Sequence, residues 1–430
     1  MIIHVPLFEY QEIKYSDIKV PEEAKNPFLD DAFIDGLEKY LKKINLDTVL
    51  TFTRTGIVPS SYVGVIKYKN IQFEILPKVL AHKLVQDVDR EQTLKNLIYM
   101  LSYTKRLDIK KPGTADLSAC LNPFLETLIR VYAETLFEAL RRNTPKGYVA
   151  RSENMRFLKG RLNLSTHIKH NSINRSKFFC DYDEFSENNA LNQMFLYVAT
   201  CLHNISRDQQ NKKLLKFIMH YYADIDFVRI YSKDLVKINL NRNQTIFDLP
   251  FKLAKMFIEK TSVDITQNKF NNIAMVWDMN VLFEEFIAEF IKRNKSELNI
   301  KEVVYQHRHK LLKSDENNRC YANTFVDIYI ITENGNNFVL DTKYKNNYGR
   351  RGEFSNPDIF QVTTYCRLHN SRDAILLYPA TDDNTDDIHP YKLNVDENVD
   401  DLTIKTARID IRNDLSKSHS VLINRLKQIF

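Results

Sequence analysis

Thr324-Phe325-Val326-Asp327-Ile328-Tyr329-Ile330-Ile331, then Glu333-Asn334-Gly335-Asn336, then Phe338-Val339-Leu340-Asp341-Thr342-Lys343-Tyr344 lie close together in a chain of 430 residues. The outer runs are β-branched and aromatic, and the glycine-bearing tetrapeptide between them is turn material, so together they read as a β-hairpin. Two carboxylates, Asp327 and Asp341, and the ammonium of Lys343 then meet on one hairpin. A carboxylate in the middle of an apolar strand is costly to bury unless it is paired or bound to a cation. Metal binding is the economical explanation.

The spacing D-x13-D-x-K resembles the active-site pattern of nucleases with the restriction-endonuclease-like core, PD-(D/E)xK. Its residue types suit the chemistry, because Mg²⁺ takes hard oxygen ligands and binds through one or two carboxylates, its own waters and substrate phosphate. The ion lowers the pKa of a bound water and neutralises charge developing on a phosphodiester. This pattern assigns Asp327 and Asp341 as ligands of Mg²⁺, with Mn²⁺ able to substitute, and the backbone carbonyl of Thr342 as a third. Lys343 orients or deprotonates the attacking water, or stabilises the transition state.

Composition bounds the remaining choices. At this length the chain holds two or three domains, and 43% hydrophobic residues supply their cores. Lys and Arg number 61 against 55 Asp and Glu, an excess that permits a polyanionic partner without demanding one. Cys120, Cys180, Cys201, Cys320 and Cys366 are far apart and in no CxxC spacing, so they read as free thiols in a reducing cytoplasm. The first residues carry no signal-peptide pattern, and no apolar run is long enough to span a membrane. No G-x-x-x-x-G-K-[ST] loop is present, so no nucleotide is expected to bind this chain alone.

Three segments are expected along the chain. Residues 1–90 read as a small α+β domain that contacts a partner, with a helix at Phe33 to Ile44 and a hairpin of Ser61 to Tyr68 and Ile71 to Leu76 turning at Lys69-Asn70. Residues 91–265 read as mainly helical, with helices at Leu94 to Leu101, Asn122 to Arg141, Asn189 to Asn204 and Asn211 to Tyr222, and a short strand-like piece from Arg156 to Leu164. Residues 266–430 read as an α/β nuclease domain: a helix from Ala274 to Lys292, the two motif strands, a helix started by Asn356-Pro357-Asp358, and a strand at Ala374 to Tyr378. The acidic run Asp382 to Asp387 lacks the glycine and final glutamate of an EF-hand and reads as a solvated loop.

Further residues join the candidate site by spacing. Gln361 and Tyr365 stand four apart on the helix after the motif, where they can brace the metal site or touch the scissile phosphate. On the preceding helix Glu284, Glu285 and Glu289 interrupt an apolar stripe, and Glu284 or Glu289 is the candidate extra ligand against a default of solvated glutamates. Lys345, Arg350 and Arg351 with Tyr344 and Tyr348 form a candidate DNA-contacting strip; a solvated loop is the equal alternative. Lys159, Arg161, His167, Lys169, His170, Arg175 and Lys177 make a second basic region. His307-Arg308-His309 needs further ligands to hold zinc and reads as structural, and Trp277 reads as core.

Taken together these residues resemble the McrC family, the nuclease subunit of McrBC-type restriction systems that act on DNA carrying 5-methylcytosine. The likeness runs from about residue 94 onward, through Leu97-Ile98-Tyr99-Met100-Leu101-Ser102-Tyr103, Lys159-Gly160-Arg161-Leu162, Phe185-Ser186-Glu187-Asn188-Asn189-Ala190-Leu191-Asn192, the Leu282 to Phe290 helix and the catalytic pattern, in the family's order. Thr342 stands where the family often has alanine; a position that contributes its carbonyl should tolerate the change. The resemblance implies a Mg²⁺-dependent endonuclease that cuts modified double-stranded DNA when assembled with a McrB-like AAA+ GTPase hexamer, and that stimulates GTP hydrolysis. Two other readings stand beside it: an adaptor that activates the GTPase with little cleavage of its own, and a free-standing repair nuclease.

Overall fold

Ile3, Val5 and Leu7 are buried in alternation with more exposed neighbours, and that period of two builds strand β1, Ile3–Phe8. Strands β2 (Ile13–Lys14), β3 (Leu50–Phe52) and β4 (Gly56–Pro59) form a small antiparallel sheet after it, in the order β2-β4-β3. Helix α1, Asp31–Lys43, is capped by Asp30, whose carboxylate accepts from the Ala32 N–H, and it buries Phe33, Leu37 and Leu41. The expected hairpin forms as β5 (Tyr62–Tyr68) and β6 (Ile71–Leu76), with Lys69 in the left-handed region at its turn. β1 runs parallel to β6, and Phe73, Ile66 and Ile75 close a core over α1. Helix α2, Asp87–Tyr103, follows. The computed structural model describes residues 3–18, 27–77, 87–104, 123–173, 175–264, 269–313, 320–345, 355–380, 388–392 and 402–430.

The chain divides into two compact units, residues 1–119 with 274–430, and residues 120–273. In the second unit, α3 (Pro123–Arg142), α5 (Ala190–Ile205) and α6 (Gln209–Tyr221) are the helices that the apolar spacing announces, and α7 (Asp248–Glu259) is a further one that the sequence reading passed over. Glu126 on α3 is buried but satisfied, accepting from Ser206 Oγ and Arg207 N at 2.7 Å and from Asn211 Nδ2 at 2.8 Å. The Phe185 to Asn192 motif has a local reason. Asn189 caps α5 by accepting from the Leu191 and Asn192 N–H groups, while buried Asn192 donates to the Pro145 and Glu187 carbonyls at 2.8 and 2.7 Å.

A three-stranded sheet in this unit was not legible from the sequence: β7 (Gly147–Met155), β8 (Arg161–Leu162) and β9 (Phe178–Ser186), in the order β7-β9-β8, with α4 (Leu164–Asn171) beside it. Only Arg161 and Leu162 of the expected Arg156 to Leu164 piece are strand. The flanking strands are half-exposed and carry polar residues on both faces, so no apolar alternation marks them. Gly160 of the Lys159-Gly160-Arg161-Leu162 element sits at φ +70, where a Cβ would stand 2.5 Å from the Asp181 carbonyl oxygen. Strand β10, Thr261–Asp264, is antiparallel to the start of β11, Lys269–Asp278, along which the chain passes into the other unit.

The helix expected from Ala274 is corrected here: Ala274 to Asp278 complete β11, and α8 runs Met279–Arg293 behind the Asp278 cap. β11 joins the first sheet beside β5, in the order β1-β6-β5-β11. Gly64 permits this, since a Cβ there would lie 2.1 Å from the Met275 carbonyl oxygen. That strand is why the first and last segments, expected as separate domains, group into one unit. Strands β12 (Ile300–Lys313), β13 (Cys320–Thr332) and β14 (Asn337–Thr342) follow, then α9 (Asn356–His369), β15 (Asp373–Pro379), β16 (Ile388–Lys392), β17 (Thr403–Ile409) and α10 (His419–Ile429). The sheet order is β12-β13-β14-β15-β17-β16, antiparallel through β14 and parallel across β14, β15 and β17. Val362, Tyr365 and Cys366 of α9 pack on Val339, Leu376 and Tyr378, and Trp277 is buried as expected.

Candidate active site

Asp327 lies one step beyond the Ile328↔Leu340 pair of the β13–β14 hairpin, so Asp341 is across from it. Asp327 Oδ2 accepts from the Thr342 N–H at 3.0 Å and from the Thr342 hydroxyl at 3.3 Å. Thr342 thus does more than the sequence suggested: in place of a methyl group it adds a second hydrogen bond to the first acid. Asp341 is fully buried, with 0% of its surface exposed. Lys343 Nζ stands 2.9 Å from its Oδ2, yet neither oxygen receives a hydrogen bond of regular geometry. Burial, reinforced by the Asp327 charge, pushes the Asp341 carboxyl up to about 7 despite Lys343. Asp327 is raised as well, by burial against the opposing hydrogen bonds of Thr342.

Lys343 connects the hairpin to α9. Its ammonium donates to Gln361 Oε1 at 3.0 Å, and Gln361 Nε2 in turn donates to the Tyr365 hydroxyl at 2.8 Å. The two residues singled out by their four-residue spacing are therefore joined to the lysine in one chain. Burial favours the neutral amine, but Asp341, then Asp327 and Asp358, outweigh it and hold the lysine above its ordinary range. It stays an ammonium.

Of the glutamates on α8, Glu284 faces the acids: burial first and Asp327 second raise its carboxyl to about 7. Glu289 instead pairs with Lys292 at 3.6 Å. Gln306 on β12 donates to Glu284 Oε1 and sits at φ +52, in the left-handed region, inside a strand. Its flanking pairs, Tyr305↔Ile328 and His307↔Val326, put it opposite Asp327. Asp358 is a second residue that sequence reasoning passed over. It lies 3.0 Å from Lys345 Nζ and 3.9 Å from Lys343 Nζ, and its backbone N–H is held by the Ser355 cap. The Ser-x-x-Asp spacing of a helix start was the available signal. Lys345, assigned to DNA, is thereby engaged in an ion pair; Arg350 and Arg351 lie outside the described residues.

The His307 and His309 pair gains a third imidazole, His369 at the end of α9, with ring centroids 4.7 and 5.2 Å away. These rings pack with Tyr329 as an aromatic cluster. Among the described residues no three His, Cys, Asp or Glu side chains are arranged to hold an ion by themselves. Any cation bound at Asp327 and Asp341 would complete its shell with water, backbone or substrate oxygens, as Mg²⁺ ordinarily does.

Fold and site together define a mixed α/β protein in which buried Asp341 and half-buried Lys343, at the end of a strand that runs parallel to its neighbour, meet half-buried Asp327 of the adjoining strand. Residues 57–379 match the model of the family described as McrBC 5-methylcytosine restriction system component, and the chain belongs to that family. No curated protein matches the sequence. A chain of the refined half-complex from the tetradecameric assembly of Thermococcus gammatolerans McrB AAA+ hexamers with bound McrC is similar at 21% identity and TM-score 0.73, over 99% of this chain and 100% of that one. A chain of the cryo-EM structure of the Thermococcus gammatolerans McrBC complex is similar at 25% identity and TM-score 0.51, over 68% of this chain and 88% of that one. Among the described residues no helix is long and apolar enough to cross a membrane.

Proposed function

We propose that this chain is the DNA-cutting subunit of a McrBC-type restriction complex, a Mg²⁺-dependent endonuclease with a PD-(D/E)xK core, acting in the cytoplasm with a GTP-hydrolysing AAA+ hexamer. The observation that carries the reading is Asp341, a fully buried carboxylate beside Asp327 whose oxygens lack regular hydrogen bonds. Such a donor set fits a hard cation, since two neighbouring buried carboxylates share a single lysine and their mutual repulsion is otherwise a standing cost. Asp327, Asp341 and the Thr342 carbonyl are the groups that would hold it, with water or substrate oxygens completing the shell. When bound, the ion supplies an acidified water and neutralises charge on the phosphodiester.

The chain's own residues do the rest. The Thr342 N–H and hydroxyl orient Asp327. Lys343, kept as an ammonium and aimed by the Gln361–Tyr365 pair, places positive charge where a phosphate would enter, so its role is charge stabilisation ahead of proton abstraction. The partner assignment rests on family membership and on the solved complexes, in which McrB AAA+ hexamers carry bound McrC. Exposed apolar side chains on the second unit are the candidate docking surface: Tyr148 and Phe185 are 77% and 60% exposed with ring centroids 5.1 Å apart, and Phe157, Leu158 and Ile173 are exposed nearby in sequence.

The test is cleavage of methylated and unmethylated plasmid by the chain with Mg²⁺, with and without its AAA+ partner and GTP. Cutting that requires methylation, partner and GTP, and is lost in Asp341→Ala and Lys343→Ala while the complex still assembles, is the expected result. Normal cutting by both variants would refute the site assignment, and partner-independent cutting would refute the restriction-subunit reading.

A further inference from the structure

Lys343, Tyr344 and Lys345 form a three-residue turn closed by a hydrogen bond from Lys345 N to the Lys343 carbonyl, 3.0 Å long. The turn begins where Lys343 N still pairs with the Leu377 carbonyl at 2.9 Å. Its two lysines reach Asp341, Gln361 and Asp358, as described above. Tyr344 has a different set of neighbours. It is 3% exposed, its ring lies 5.9 Å from that of Phe283 on α8, and its hydroxyl donates to Glu9 Oε2 at 3.2 Å. Glu9 is 2% exposed and comes from the other end of the chain, immediately after β1.

Glu9 is itself held firmly. Its N–H donates to the Leu76 carbonyl at 3.1 Å, continuing the β1–β6 ladder by one step. Tyr10 then turns the chain at φ +60, with its N–H bonded to the Pro59 carbonyl at 2.9 Å. A buried carboxylate on a rigid sheet end, accepting from a buried phenol, is a strong and directional contact. Each side chain of the turn thus has its own anchor, and Glu9 is one that comes from outside residues 274–430.

We infer that Glu9 is a positioning residue for the reaction: through Tyr344 it fixes the turn that presents Lys343, and so couples the N-terminal sheet to the cleavage site. The inference rests on the nuclease reading above. A carbonyl-bearing side chain at position 9 and a hydroxyl at position 344 are both required, and their effects belong to one contact.

The experiment measures single-turnover cleavage by the assembled complex at saturating Mg²⁺, together with the DNA concentration for half-maximal rate, for Glu9→Leu, Glu9→Gln, Tyr344→Phe and the double variant that combines Glu9→Leu with Tyr344→Phe. Tyr344→Phe deletes a single oxygen and keeps the ring, so it tests the contact with the fold intact. Expected is a loss of roughly tenfold in rate for Glu9→Leu and Tyr344→Phe, as for one oriented hydrogen bond, with half-saturation unchanged, no further loss in the double variant, and rescue in Glu9→Gln, which keeps an acceptor. Wild-type rates in Tyr344→Phe, additive losses in the double variant, or a Glu9→Gln rate as low as that of Glu9→Leu would each overturn the inference. Asp341→Ala run alongside separates the two claims: if it cuts normally the nuclease reading itself falls, whereas if it is dead and Tyr344→Phe is unimpaired only the role of Glu9 falls.

Discussion

Asp341 concentrates the conflict between stability and activity in this protein. Its carboxyl is raised to about 7 by burial and by Asp327, so above that pH the metal-free fold carries a buried charge it holds poorly. The sign follows from linkage: a folded pKa above the unfolded value contributes stability below about 4, which is lost as pH rises through about 7. Asp341→Asn is therefore expected to abolish cleavage yet stabilise the metal-free protein at pH 8, with the gain shrinking as pH falls through 7 and gone at about pH 4. Urea midpoints at the two pH values measure this. Protons and the cation compete for the same oxygens, so the apparent Mg²⁺ affinity should weaken about tenfold for each unit of pH below 7. A titration of Mg²⁺ dependence at pH 6 and 8 would show no difference if the acid were already ionised.

Helix α9 serves two purposes along its length. Gln361 and Tyr365 aim Lys343, and one turn further His369 packs against His307, His309 and Tyr329. Burial first, then the two neighbouring imidazoles, lower His369 to about 4. Below an unfolded value near 6.5 the unfolded chain binds a proton that the folded one refuses, so stability falls as pH drops from about 6.5 towards 4. His369→Gln should flatten that acid limb and leave stability at pH 8 nearly unchanged, read as denaturation midpoint against pH. An undiminished limb in the variant would assign it to other groups.

At the scale of the whole molecule, Asn96 is the buried tie between α2 and the C-terminal segment. Its Nδ2 lies 2.9, 3.1 and 2.8 Å from the Ile411, Arg412 and Asn413 carbonyl oxygens, and its Oδ1 accepts from Leu415 N at 3.1 Å. Asn96→Leu leaves those backbone groups unpaired and should cost roughly 2–4 kcal/mol, measured by calorimetry or urea unfolding. The second unit has the opposite character on its sheet, with Tyr148 and Phe185 open to solvent. Tyr148→Ala with Phe185→Ala should leave the melting temperature of the isolated chain unchanged while weakening capture of the AAA+ partner at least tenfold by biosensor titration. Unaltered capture would move the docking surface elsewhere.

The sequence by itself determined what depends on near neighbours. Alternating apolar residues and a glycine turn are local, so the hairpin with Asp327, Asp341 and Lys343 could be read directly; the four-residue spacing of Gln361 and Tyr365 follows from helix geometry in the same way. Helices α3, α5 and α6 of the second unit were legible for that reason, whereas α4, α7 and the largely polar, half-exposed strands β7 and β9 were not. Only the tertiary structure set Glu284 near the two acids and Glu289 beside Lys292, brought Gln306 opposite Asp327, set Asp358 beside the lysines, and delivered Glu9 to Tyr344 across more than three hundred positions. Those contacts join segments whose separation carries no periodic signal. The last of them joins the two ends of the chain, which meet in one unit where β11 lies in the first sheet beside Gly64, a pairing of whole strands that no short motif announces.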